Sequence, residues 1–170
     1  MATVIYRPFQ ATQNSTGTQL AWTLNPATWG YNDNNMCHAG PLTAIAMPDG
    51  TLTARGTTGE LTYSQYRTGT APTGTLNGIE LLVYAHKQSR VLDMTVQLRL
   101  DGTLIGQNKA ADSTDGYHVY GGTTDMWGTA LTLGNITAVG VTLQYQSNKT
   151  IPHRDTVYVD TAWLRLTYTP

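Results

Sequence analysis

The stretch from Thr156 to Tyr168 decides how a chain like this can fold, because it alternates over its whole length. One set of positions reads Tyr158, Asp160, Ala162, Leu164, Leu166 and Tyr168, and the other reads Val157, Val159, Thr161, Trp163, Arg165 and Thr167. A period of two is the signature of a β-strand. A strand this long, apolar on both faces, is badly placed at a solvated edge. The chain is therefore expected to end in a central strand, with the Leu164 and Leu166 face toward the core. That parity puts Asp160 on the inward face, where a carboxylate must be paired or hydrogen-bonded. Asp160 is read as a structural carboxylate tying down a neighbouring loop, in preference to a catalytic acid.

The same period recurs upstream. Ile79, Leu81, Val83 and Ala85 face one way and Glu80, Leu82, Tyr84 and His86 the other. Leu92, Met94, Val96, Leu98 and Leu100 read as a core face opposite a wet face of Asp93, Thr95, Gln97 and Arg99. Asp101-Gly102 is a hairpin turn into Thr103, and Pro48-Asp49-Gly50 is a second hairpin signal between Leu42–Met47 and Thr51–Ala54. Leu61–Arg67, Tyr117–Tyr120 and Ile136–Gln146 complete the strands, the last with Val139, Val141, Leu143 and Tyr145 on one face. Only 12% of the 170 residues are charged, with three Lys and two Glu, a composition of sheet and turn and not of helix. The expected fold is all-β: a single antiparallel β-sandwich, jelly-roll-like, with about eight to ten strands and almost no helix. The length suits one domain. Residues 20–170 are assigned to the sandwich and residues 1–19 to an N-terminal arm or edge strand. In that segment Val4, Tyr6 and Phe9 are candidate interface residues, Pro8 restricts the strand to an edge, and the polar run 10–19 is expected to order only against a partner.

Chemistry-bearing patterns are scarce. The loop Trp22–Asn35 is the most aromatic in the chain, and Trp22, Trp29 and Tyr31 are either a sugar or partner platform or the cap on one end of the sandwich. Asn32, Asp33, Asn34 and Asn35 lack the spaced carboxylates of a calcium loop. His38, His86, His118 and His153 are dispersed, Cys37 stands alone, and no metal-ligand spacing, phosphate-cradling glycine loop or nucleophile elbow occurs, so no cofactor and no enzymatic activity are expected. Asp112 and Asp115 read as solvated turn carboxylates, and Asp125 with Trp127 as a structural polar pair in the Gly-bounded crossover Gly121–Gly128. A net charge of −1 without a basic stripe argues against nucleic acid, and no segment has the apolar length of a membrane span or the pattern of a signal peptide.

The segment from Asn77 to Tyr168 resembles a recurrent β-sandwich pattern of tailed-bacteriophage virion proteins. The matching stretches are Asn77-Gly-Ile-Glu-Leu-Leu-Val-Tyr-Ala85, Leu98-Arg-Leu-Asp-Gly-Thr-Leu-Ile-Gly106, Gly121-Gly-Thr-Thr-Asp-Met-Trp-Gly128 and Val157-Tyr-Val-Asp160 through Tyr168, with the Trp22-Thr-Leu-Asn-Pro26 loop as the opening. The resemblance implies a virion structural role, as a capsid decoration (cement) protein or as a tail, neck or fibre component. The absence of a coiled-coil shaft or trimerising repeat favours decoration. The expected partners are the major capsid protein or other virion proteins and further copies of the chain, as a trimer. The expected location is the virion. A carbohydrate-binding module is the rival expectation.

Overall fold

The computed structural model describes residues 1–16, 19, 22–23, 30–31, 37–38, 42–44, 57–87, 91–111, 115–147 and 157–170. Thirteen strands run through them: β1 (Ala2–Tyr6), β2 (Gln10–Asn14), β3 (Trp22–Thr23), β4 (Gly30–Tyr31), β5 (Cys37–His38), β6 (Leu42–Ala44), β7 (Glu60–Ser64), β8 (Thr75–Lys87), β9 (Val91–Leu100), β10 (Thr103–Ile105), β11 (Gly116–Gly121), β12 (Val139–Ser147) and β13 (Val157–Thr169). Among the described residues the one helical segment is a 3-10 turn at Leu133–Ala138. One sheet has the order β11-β8-β13-β6-β3 with β1 also on β13, and the other is β10-β9-β12-β7-β2. β4 and β5 form a separate two-stranded ribbon.

Every pairing is antiparallel. From β6 onward the chain alternates between the sheets at each step except the β9–β10 hairpin, which yields β6-β13-β8-β11 facing β7-β12-β9-β10. That is the strand order of a jelly roll. The terminal strand β13 is central: β8 pairs with its whole length, β1 with Leu164–Tyr168 and β6 with Val157–Val159.

The core lies between the sheets. Ile79, Leu81, Val83 and Ala85 from β8 and Leu164 and Leu166 from β13 meet Val96, Leu98, Val141, Leu143 and Leu61 from the opposite sheet, all at 1% exposure or less. Two buried tyrosines carry hydrogen bonds across the core to the backbone of β13: Tyr66 donates to the Ala162 carbonyl at 2.7 Å and Tyr63 to that of Val159 at 3.4 Å. The β9–β10 turn has positive φ at both Asp101 (47°) and Gly102 (81°), the left-handed pair whose twist suits a two-residue hairpin.

Register overturns two sequence expectations and decides a third, the choice between an N-terminal arm and an edge strand. The first concerns β9, which carries an irregularity where Thr95 pairs with Gln144 but Asp93 with Tyr145, so Met94 is the extra residue. A bulge shifts a period-two pattern by one. Met94 is consequently 44% exposed, while Val91 and Asp93 turn inward. In β13 the pairing likewise passes over Asp160, so the core face runs Val157, Val159, then Ala162, Leu164 and Leu166, where strict alternation had put the two valines outside. The third concerns the N-terminal segment. Ala2–Tyr6 pairs with β13 and Gln10–Asn14 with β7, and the chain crosses between the sheets at Arg7, which exchanges backbone hydrogen bonds with Arg67. Residues 10–14 of the polar run expected to await a partner thus pair within their own domain. Tyr6 is 2% exposed and so offers no interface area, and half-buried Val4 packs against the core.

Candidate functional surfaces

The two outer faces of the sandwich differ in chemistry. On the β8–β13 sheet the outward rows read Ile5 beside Arg165 beside Glu80, then Trp163 beside Leu82 beside Val119, then Tyr84 beside Tyr117. Ile5, Tyr117 and Val119 are exposed at 38%, 56% and 45%. The polar groups among them are mostly tied down. Arg165 grips Glu80 with Nε and Nη2 at 2.7 and 2.8 Å, and these hydrogen bonds hold the Glu80 carboxyl below its ordinary value although burial opposes the shift. The Arg7 guanidinium lies 5.3 Å from the Trp163 ring centroid. Two groups are left over: the Trp163 indole N–H and the Thr167 hydroxyl are buried with no hydrogen-bond partner. The face is an apolar, aromatic surface on which Glu80 and Arg165 neutralise one another.

The opposite sheet presents a groove of about 380 Å³ whose side chains, mainly from β2, β7 and β9, are mostly polar. Gln10 lies beside Ser64, Thr12 beside Thr62 beside Thr142, Asn14 beside Glu60, and Gly140 beside Arg99. Arg99 organises it, donating from Nη2 to Glu60 at 2.9 Å and from Nε to the Thr142 hydroxyl at 3.0 Å. Phe9, one residue before Gln10 and 40% exposed, stacks under the Arg67 guanidinium at 4.5 Å.

Between the sheets sits a buried ionic network. Lys87 ends the inward row of β8, and its Nζ lies 2.7 Å from Asp93 Oδ1, with side-chain exposures of 1% and 0%. Tyr120 donates to Asp93 Oδ2 at 2.6 Å, and the Lys87 Nζ also stands 5.6 Å from the Tyr145 ring centroid. Burial, with the Asp93 charge nearby, pushes the Tyr145 hydroxyl well above its ordinary value. Lys87 could be read from the sequence as the charged end of the row Ile79, Leu81, Val83, Ala85. Asp93 could not, because strict alternation puts it on the wet face and only the Met94 bulge turns it inward. Asp115, expected to be solvated, is exposed and accepts the Lys87 backbone N–H at 2.8 Å.

Asp125 and Trp127 form a corner at the crossover. Asp125 Oδ1 accepts the Trp127 backbone N–H at 2.7 Å and Oδ2 lies 2.8 Å from Lys109 Nζ, and the Lys109 hydrogen bond, followed by that from Trp127, holds its carboxyl below the ordinary range. Trp127 is fully buried, and its indole donates to the Ile79 carbonyl at 2.9 Å. Of the remaining expected residues, Trp29, the Asn32–Asn35 run, the Pro48-Asp49-Gly50 hairpin and Asp112 lie outside the described residues. So do the side chains of Trp22, Tyr31 and Asp160. Among the described residues no group of His, Cys, Asp and Glu is arranged to hold a metal ion. No helix among them is long and apolar enough to cross a membrane. Comparison of the chain with family models, curated proteins and solved structures returns no match.

Proposed function

We propose that this jelly roll is a non-enzymatic virion structural protein, a capsid decoration protein that binds the assembled shell of a tailed bacteriophage. The observation that carries the reading is the contrast between the two outer faces. One is wet and polar, as a sandwich in water requires, whereas the other exposes Ile5, Tyr117 and Val119 around an aromatic row. Aromatic residues with few unpaired charges among them are the composition of an interface core. In this reading the contact residues are Ile5, Tyr117 and Val119, in place of the Val4 and Tyr6 expected from the sequence. A homotrimer over capsomer junctions would multiply a weak single contact through effective concentration. The virion assignment itself rests on the sequence resemblance.

The test is to mix purified protein with capsids lacking it and image the particles. Density on the shell supports decoration, binding confined to tail or neck transfers the reading to a tail component, and no binding to any virion part refutes both. Carbohydrate binding is the second reading, favoured by the groove between Gln10 and Arg99, whose amide and hydroxyl lining suits a neutral saccharide. A glycan array without hits removes it.

A further inference from the structure

We propose that Lys87 and Asp93 condense into an intramolecular amide, a covalent staple joining the two sheets beside the β8–β9 connection. The pair has the geometry of reactants. Lys87 Nζ stands 2.7 Å from Asp93 Oδ1. The carboxyl carbon is one C–O bond of about 1.2 Å beyond that oxygen, so the nitrogen lies within about 4 Å of the carbon it would attack. Close packing of the reacting groups replaces a bimolecular encounter by a positioned one, an advantage worth an effective molarity on the order of 10⁵ M or more when alignment is good.

The reaction starts from an ion pair shielded from water. Both side chains are essentially inaccessible to water, and an ion pair so placed recovers its lost hydration poorly. Transfer of one proton from the Lys87 ammonium to the Asp93 carboxylate yields a free amine facing a carboxylic acid. Tyr120, 2.6 Å from Oδ2, donates to the oxygen that gains charge as the amine adds to the carbon. Addition forms the C–N bond, and collapse of the adduct breaks one C–O bond and releases the oxygen as water, its two protons supplied by the amine nitrogen and the carboxyl group. The atoms balance with no other reactant. The product is a neutral amide in a core that no longer has to hold two charges, and water excluded from the site cannot reverse the step readily. The Met94 bulge is the device that makes the pair, since it alone turns Asp93 inward.

The test is the mass of the denatured, purified protein and its tryptic map. The expected result is a deficit of one water against the sequence, no cleavage after Lys87, and a branched peptide joining residues 68–90 to residues 91–99. Lys87→Met and Asp93→Ala are each expected to restore the full mass, and Tyr120→Phe to reach the crosslinked mass on the order of tenfold more slowly. Should either of the first two variants fail to fold, the wild-type map decides by itself. Full mass with cleavage after Lys87 overturns the proposal, as does a water deficit located in any other peptide, such as one spanning an Asp-Gly pair. Equal rates for Tyr120→Phe and wild type overturn the role given to Tyr120.

Discussion

Trp127 is the most informative residue to perturb in this fold. It is fully buried, yet its backbone has a φ of 57°, a left-handed conformation that a bulky residue rarely accepts. Three contacts hold it there: the backbone N–H on Asp125, the indole N–H on the Ile79 carbonyl, and Lys109 at 5.9 Å from the ring centroid. The neighbouring Gly121, at a φ of 83°, leaves room for the indole, because a Cβ there would run into the ring and the Ile79 carbonyl. Trp127→Ala removes the whole side chain from the core and is expected to cost about 3–5 kcal/mol. Trp127→Phe keeps most of the ring and removes one hydrogen bond. The Ile79 carbonyl also accepts the Gly122 N–H at 3.3 Å, so it is not orphaned, and the expected cost is about 1–2 kcal/mol. Urea unfolding followed by far-ultraviolet circular dichroism measures both, with the slope checked for constancy so that a shifted midpoint reports stability. An Ala variant within about 1 kcal/mol of wild type would refute the anchoring role. A Phe variant as damaged as the Ala variant would show that the hydrogen bond and not the packing dominates.

Other expectations follow from the same structure. Thr167→Val replaces a buried hydroxyl without a partner by a methyl group and should raise stability by about 1 kcal/mol; a lower melting temperature contradicts the assignment. Glu80 and Asp125 are both held below their ordinary values, so the unfolded chain binds more protons than the folded one as pH falls. Their contribution is therefore complete above the ordinary carboxylate range, near about pH 4, and is lost progressively below it. Glu80→Gln should flatten the acid limb of a plot of urea midpoint against pH, and an unchanged limb would count against the Arg165 pairing. Finally, Tyr117→Lys and Val119→Lys, on the exposed side of β11, should change stability by less than about 0.5 kcal/mol and, under the proposed decoration role, abolish capsid binding. Retained binding in co-sedimentation would move the docking surface elsewhere.

Much of this protein was determined by its sequence alone. Alternation of apolar and polar residues requires strands, and a terminal strand apolar on both faces requires neighbours on both sides, which β13 has in β8, β1 and β6. The inward rows Ile79–Ala85 and Val139–Tyr145 were legible residue by residue, because successive side chains of a strand point to opposite faces and only one parity can meet the other sheet. What tertiary structure decided is parity wherever a bulge intervenes. Whether Met94 or Asp160 is the extra residue depends on the partner strand against which it is counted, and no local pattern records it. The same holds for the N-terminal segment, whose weakly patterned residues 2–14 are shared between two sheets because β13 and β7 each offer an open edge there. The outcome for the candidate sites is direct. The polar and apolar outer faces descend from alternation and could be listed beforehand, but the buried meeting of Lys87, Asp93 and Tyr120 joins strands from both sheets and rests on one inserted residue, so only the assembled fold produces it.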